Sequence, residues 1–316
     1  PGDVERPALV RDREAGWLCG TGCLRVHFGS EPEAIPGYIS YLLGLQSSRT
    51  WIRQHAVGAT MLNINTTILS SVPLLIHDLP EQQAIAEVLG ALDDKIAANQ
   101  AVVEASDKMV RAKFQGLQRG CTSSRPLSDV CEMVRSRVSP RVDSERMYLG
   151  LEHLPRRLMW VRKSGIEKEI GSIKSDFIRN DVLFGKLRPY FHKVVIAPTE
   201  GVCSTDILVV RAQGETAGLI LAALASDEAV ELAVAGSAGT RMPRTSWSDL
   251  AAMQIPWGAE EEMGAFSRSV LNLSDTAIAI NEESQRLAAL RDALLPELMS
   301  GRLRVKDAEK QVEEVL

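Results

Sequence analysis

No apolar run in this chain approaches the roughly 20 residues that a bilayer-crossing helix needs, and no signal peptide is read at Pro1, so neither a membrane span nor secretion is expected. Cysteine is scarce: Cys19, Cys23, Cys121, Cys131 and Cys203 are odd in number and include no Cys-x-x-Cys pair. That usage predicts reduced thiols in a cytoplasm rather than a disulfide frame. Cys19 and Cys23 alone would be half a metal site, and no second Cys or His pair completes it, so no metal is expected. Histidine is equally thin; His27, His55, His77, His153 and His192 show no nucleophile or metal spacing, and each reads as a turn or surface residue. A Walker lysine loop is missing, and Gly20-Thr21-Gly22 alone is no dinucleotide fingerprint. Positive net charge is also missing, with 36 Lys and Arg against 41 Asp and Glu, which by itself speaks against a nucleic-acid partner.

The average charge hides an asymmetry. Residues 156–193 carry ten cations (Arg156, Arg157, Arg162, Lys163, Lys168, Lys174, Arg179, Lys186, Arg188, Lys193) against four acids (Glu167, Glu169, Asp176, Asp181). That segment is +6, leaving −11 for the rest of a chain whose net charge is −5. A basic face on an acidic protein is compatible with DNA held on one side; a solvated charged face is the plain alternative. At 316 residues, with 45% hydrophobic and 24% charged residues, the chain has room for about two folded domains.

The strongest pattern is a heptad seam over 78–120. Apolar or small residues recur in steps of four and three at Ile85, Leu89, Leu92, Ile96, Asn99, Val103, Ser106, Val110, Lys113 and Leu117. Asp78-Leu79-Pro80-Glu81 supplies a capping Asp, an early Pro and a Glu three residues on; Gly120 reads as the stop. A helix of that length is about 55 Å long and needs a partner along it. The partner is in the same chain. At an offset of 181 residues the seam returns as Phe266, Val270, Leu273, Ala277, Ile280, Ser284, Leu287, Arg291, Leu294 and Leu298, with Gly120 falling on Gly301. The offset continues backwards, placing Leu69 on Leu250, Met61 on Met242, Gly58 on Gly239 and Gly37 on Gly218. A period this long fits two globular units, each followed by a long helix, rather than a solenoid. Asn99 and Ser106, polar within the seam, could fix its register.

The expected organisation is a partial first domain over 1–77, a spacer helix over 78–120, a second domain over 121–258, a second spacer helix over 259–301 and a charged, frayed tail over 302–316. In the first domain, residues 17–26 read as a turn and a buried strand, 36–54 as an amphipathic helix and 72–76 as an edge strand, because Pro73 cannot donate to a central ladder. Short apolar runs at 148–151, 182–184, 193–196 and 207–210 predict a mainly β second unit, followed by a helix over 217–235.

Two polar loops stand out in that unit. Phe184-Gly185-Lys186-Leu187-Arg188-Pro189-Tyr190 sets two cations and an aromatic on a Gly/Pro-shaped turn, and residues 239–247 add Arg241, Arg244, Thr245 and Ser246. Arginine can donate bidentate hydrogen bonds to guanine edges, and lysine can neutralise phosphate. The corresponding loop of the first unit offers Thr60, Asn63 and Asn65, and asparagine can pair bidentately with adenine. Arg162 and Lys163 complete the candidate DNA-contacting set. Against this, Arg188 could be paired with a carboxylate, and Tyr190 and Trp247 could be core.

Five stretches resemble the specificity (S) subunit of type I restriction–modification systems. They are Leu79-Pro80-Glu81-Gln82-Gln83-Ala84-Ile85-Ala86, Leu89-Gly90-Ala91-Leu92-Asp93-Asp94-Lys95-Ile96, Tyr148-Leu149-Gly150-Leu151-Glu152-His153-Leu154, Asp181-Val182-Leu183-Phe184-Gly185-Lys186-Leu187-Arg188-Pro189-Tyr190 and Leu294-Leu295-Pro296-Glu297-Leu298-Met299-Ser300-Gly301. The resemblance implies an α+β fold: two mixed target-recognition domains, the first truncated here, alternating with two long helices that pair as an antiparallel coiled coil. It also implies that each domain reads half of a split double-stranded DNA site while the helices act as a ruler. Two methyltransferase (M) subunits dock on those helices, and restriction/translocase (R) subunits join afterwards. The chain itself is then non-catalytic and carries no cofactor, S-adenosylmethionine being expected on the methyltransferase partner. Absence of an Asn-Pro-Pro-Tyr/Phe methylation motif agrees with that division. The rival readings are a coiled-coil scaffold that does not read DNA and an enzyme with an unrecognised site.

Overall fold

The computed structural model describes residues 4–11, 14–29, 34–58, 62–139, 145–167, 171–237 and 242–315. In chain order its elements begin with the helices α1 (Pro36–Gly44), α2 (Gln46–His55), α3 (Thr66–Ser70) and α4 (Leu79–Gly120). The strands β1 (Ser123–Pro126), β2 (Cys131–Met133), β3 (Arg137–Val138), β4 (Met147–Leu149), β5 (Gly165–Ile166) and β6 (Lys174–Phe177) follow. Next come β7 (Val182–Gly185), β8 (Val194–Ile196), β9 (Gly201–Cys203), β10 (Ile207–Ala212), α5 (Ala217–Leu224), α6 (Asp227–Ala235) and α7 (Trp247–Ala251). The chain closes with β11 (Gln254–Trp257), α8 (Glu260–Met299) and α9 (Val305–Glu313). Pro1–Ala98 with Ser284–Leu316 form one compact unit, and Asn99–Glu283 form the other. Each long helix contributes to both.

The internal repeat is present helix for helix. The first residues of α5, α6, α7 and α8 each lie 181 positions after those of α1, α2, α3 and α4. The same pair of positions faces each other in both copies, at different closeness: a side chain on Gly37 would meet Ala86, and one on Gly218 would meet Ser267.

In the first unit Tyr38, Leu42, Ile85, Leu89 and Leu92 pack with Leu287, Leu294 and Leu298. Burying such side chains is worth about 1.5–3 kcal/mol each, and it fixes which stripe of each helix faces inward. The Asp78 carboxylate caps α4, accepting the Glu81 N–H at 3.0 Å. A polar knot lies beside this core, where the Tyr41 hydroxyl donates to Asp93 at 2.6 Å and Arg291 pairs with Asp93 at 2.5 Å. Burial, with the Asp93 carboxylate beside it, pushes the Tyr41 phenol far above its ordinary range.

Four expectations fail here. Residues 302–315 are no frayed tail: α9 buries Ala308 and Val312 against the unit's core, because Val305, Ala308 and Val312 share one helical face. Residues 36–54 form two helices, since Leu45 adopts an extended backbone between them. Residues 72–76 are irregular, as Pro73 has no N–H and the described residues offer no partner strand. Residues 17–26 form no strand either; Trp17 and Leu18 lie exposed.

The second unit has three sheets: β2-β10-β7-β8, β3-β6-β9-β4-β5 and the β1-β11 ribbon. Among the described residues all pairings between these strands are antiparallel except β4 with β9. Successive residues of β10 point to opposite faces, so Leu208 and Val210 join one core and Ile207 and Val209 join another. The residues predicted as one helix over 217–235 form α5 and α6, because Ser226 starts a new helix by accepting the Ala229 N–H.

In this unit α4 and α8 run antiparallel. Asn99 donates to Glu283 at 2.9 Å, Lys113 to Ser269 at 3.1 Å, and Phe114 lies 6.3 Å from Phe266. The buried seam holds Val103, Val110, Val270 and Ala277. Asn99 therefore does bridge the helices, whereas the Ser106 hydroxyl bonds back to Val102 of its own helix at 2.9 Å and contributes nothing to register through that bond. Gly301 ends α8 with φ 69°, a left-handed turn that needs no Cβ, while Gly120 has no such φ and is simply the last helical residue of α4.

Candidate nucleic-acid interface

The two polar loops of the second unit are brought together. Leu187 bridges Arg244 in antiparallel fashion, the Arg188 N–H donates to Pro243 at 2.8 Å, and the Thr245 N–H donates to Lys186 at 3.1 Å. The first loop is anchored by the Lys186 N–H, which donates to the Asp206 carbonyl at 2.8 Å. Arg188 and His192 both take left-handed backbone angles, at φ 51° and φ 56°, and the short 3-10 turn Pro189–Phe191 fits between them.

Sequence-predicted side chains on these loops divide into two kinds. Tyr190 is 52% exposed and stands edge-on to Phe191, whose ring also carries the Arg156 guanidinium at 3.9 Å. Arg188 is half-buried, and its Nε is enclosed without a hydrogen-bond partner among the described residues. Arg244 is more than half exposed and leans on Asp206 at 3.3 Å. Thr245 and Ser246 instead serve α7. Thr245 is buried and donates to Asp249, and Ser246 forms a reciprocal capping box with the same carboxylate. Asn65 does the same work one repeat earlier, accepting the Ile68 N–H at 2.8 Å to cap α3. Asn63 is exposed and ties its loop through backbone bonds to Val57. Thr60 and Arg241 lie outside the described residues.

The basic segment 156–193 is not a uniform cationic face. Arg157, Arg162 and Arg179 pair with Asp227, Glu104 and Asp275 at 3.2, 3.5 and 2.8 Å. Lys174 is buried and donates to the Ser172 carbonyl. Lys193 donates to the Leu151 carbonyl, and burial holds its ammonium below the ordinary lysine range. Lys163 is exposed, Lys186 is half-buried, and Arg162 ties to α4. Lys168 lies outside the described residues.

Behind the loops His192 is enclosed, one ring nitrogen bonding the Ala225 carbonyl at 2.8 Å; burial lowers its pKa, and Arg111 and Arg157 push the same way. Sequence reasoning overlooked Asp206, which holds both loops, one through its carbonyl and the other through its carboxylate. Nothing local marks it, because its partners lie at positions 186 and 244. Among the described residues no group of three or more His, Cys, Asp or Glu could hold a metal, and no helix is long and apolar enough to cross a membrane.

No protein-family model matches the chain. It is 26% identical over 142 residues to the type I restriction enzyme EcoDI specificity subunit of Escherichia coli, a match spanning 44% of this chain and 32% of that protein. The chain thus spans about a third of the curated relative's length. Its fold superimposes on the type I restriction–modification S subunit from M. genitalium with a TM-score of 0.52 and 14% identity, covering 84% of this chain and 73% of that one. An HsdS subunit from Thermoanaerobacter tengcongensis aligns with a TM-score of 0.36 and 13% identity over 85% of this chain and 71% of that chain. The chain is therefore similar in sequence to one type I specificity subunit, and it shares its mixed helix–strand fold, with two pairing long helices, with another.

Proposed function

We propose that this chain is the non-catalytic DNA-recognition subunit of a type I restriction–modification assembly, reading a split site in double-stranded DNA. The observation that carries this reading is the 181-residue repeat in which α1–α4 return as α5–α8. Each copy presents a polar loop ahead of a short capped helix, and a long helix follows. One architecture with different loop side chains suits two readers of different half-sites. In the second copy Arg188, Tyr190 and Arg244 read base edges and Lys186 meets phosphate, with Arg241 a further candidate from the sequence; in the first copy Thr60 and Asn63 are the candidates. Asn65 and Ser246 shape their loops through capping, and Thr245 through its bond to Asp249. The long helices set the half-site spacing and receive two methyltransferase subunits, which bring S-adenosylmethionine and the methyl-transfer chemistry; restriction subunits join when present.

Coexpression with the partner methyltransferase and mapping of the methylated adenines tests the reading. Replacing residues 186–190 and 242–247 with the loops of a different specificity subunit is expected to change one half of the methylated site. An unchanged methylation pattern would discard it. The scaffold reading draws support from one observation, the neutralisation of Arg157, Arg162 and Arg179 by acids; it predicts equal, weak affinity for every duplex.

A further inference from the structure

A cleft of about 400 Å³ opens in the second unit where the chain passes from β2 to β3, and so from one sheet to the other. Its floor is the start of β10, and its walls carry Arg135, Arg137 and Lys186 together with Ser136, Ser175 and Thr205. No Asp or Glu lines it among the described residues. Arg135 and Arg137 are exposed, and neither has an ion-pair partner among the described residues. This is the reverse of the 156–179 stretch, where arginines are held by acids of α4, α6 and α8. The crossing segment is held in place, since the Val134 N–H donates to the Val209 carbonyl at 2.8 Å. Lys186 belongs both to this cleft and to the joined loops, its backbone being bonded to Asp206 and Thr245.

We infer that this cleft grips the DNA sugar–phosphate backbone, with Arg135 and Arg137 as the anchoring cations beside the base-reading loops. The inference rests on the DNA-recognition reading above and names where that recognition is anchored. Three cations and three hydroxyls with no opposing carboxylate form a receptor for phosphodiester oxygens: guanidinium forks donate two bonds to one phosphate, and hydroxyls donate to its neighbours. Backbone anchoring then sets the register in which Arg188 and Arg244 meet the base edges. Such a grip releases condensed counterions, so its signature is in the salt dependence rather than in sequence preference.

The test measures binding of the full chain to a short random-sequence duplex and to duplex carrying its methylated site, over a salt series. Arg135→Gln and Arg137→Gln are each expected to weaken both complexes equally and to flatten the slope of log K against log salt by about one. Arg135→Lys keeps the charge and restores the slope. Arg179→Gln, whose guanidinium already pairs with Asp275, leaves it unchanged. If the wild-type chain binds while Arg135→Gln and Arg137→Gln keep its slope, the cleft is not the anchor and the recognition reading stands. A wild-type chain that binds neither duplex overturns the recognition reading itself.

Discussion

Arg188 and Arg244 sit on facing loops within one hydrogen-bonded ladder, yet their surroundings differ. Arg188 is half-buried with an enclosed, unpartnered Nε, a donor that costs free energy unless a ligand meets it. Arg244 must leave, or share, the Asp206 carboxylate to reach a base. Arg188→Ala and Arg244→Ala are each expected to weaken cognate binding by about 1–3 kcal/mol and to relax preference at one base pair, measured by competition against single-base variants of the site. Wild-type affinity retained in both variants would remove the loops from the interface. His192 carries a different prediction. Burial depresses its folded pKa, so below the unfolded value near 6.5 the unfolded chain binds more protons than the folded one. Stability is therefore full above that value and falls as pH drops from it toward the folded pKa. Urea unfolding at stepped pH checks this, and His192→Gln should remove that part of the slope.

At the scale of elements, helices approach one another through small residues. Gly218 of α5 lies so close to α8 that an added Cβ would stand 2.3 Å from the Ser267 carbonyl oxygen, and its own N–H donates to the Ser267 hydroxyl at 2.9 Å. Its equivalent in α1, Gly37, would place the Cβ 3.6 Å from that of Ala86, an ordinary separation. Gly218→Ala should therefore destabilise by about 1–3 kcal/mol through overpacking. Gly37→Ala should be neutral or gain up to about 1 kcal/mol from helix propensity. Thermal unfolding of the two variants separates them; similar losses in both would mean the two copies pack alike.

For the whole molecule, the decisive feature is that α4 and α8 each belong to both compact units, so helix length is a property both units share. Lengthening or shortening α4 by one or two turns should change the spacing between half-sites and leave each half-site's sequence intact. Methylation mapping with the partner subunit reads both quantities at once, and unaltered spacing would sink the ruler role.

Sequence alone determined the long helices, the repeat and the strand-rich middle. Those depend on local periodicity and on one offset: Leu89 and Val103 lie at heptad positions whatever else the chain does, and Asp78 caps because the next orphan amides are its neighbours. Only the tertiary structure decided which polar residues are free to act. Asn65 and Ser246 were legible as polar loop residues but not as caps, and the 156–193 cations were legible as a charge excess but not as ion pairs with Glu104, Asp227 and Asp275. The union of residues 186–188 with 243–245, and the cleft of Arg135 and Arg137 beside them, likewise required the fold. Charge neutralisation and loop pairing join residues tens of positions apart, and no local pattern encodes partners that only the folded chain brings within a few ångströms.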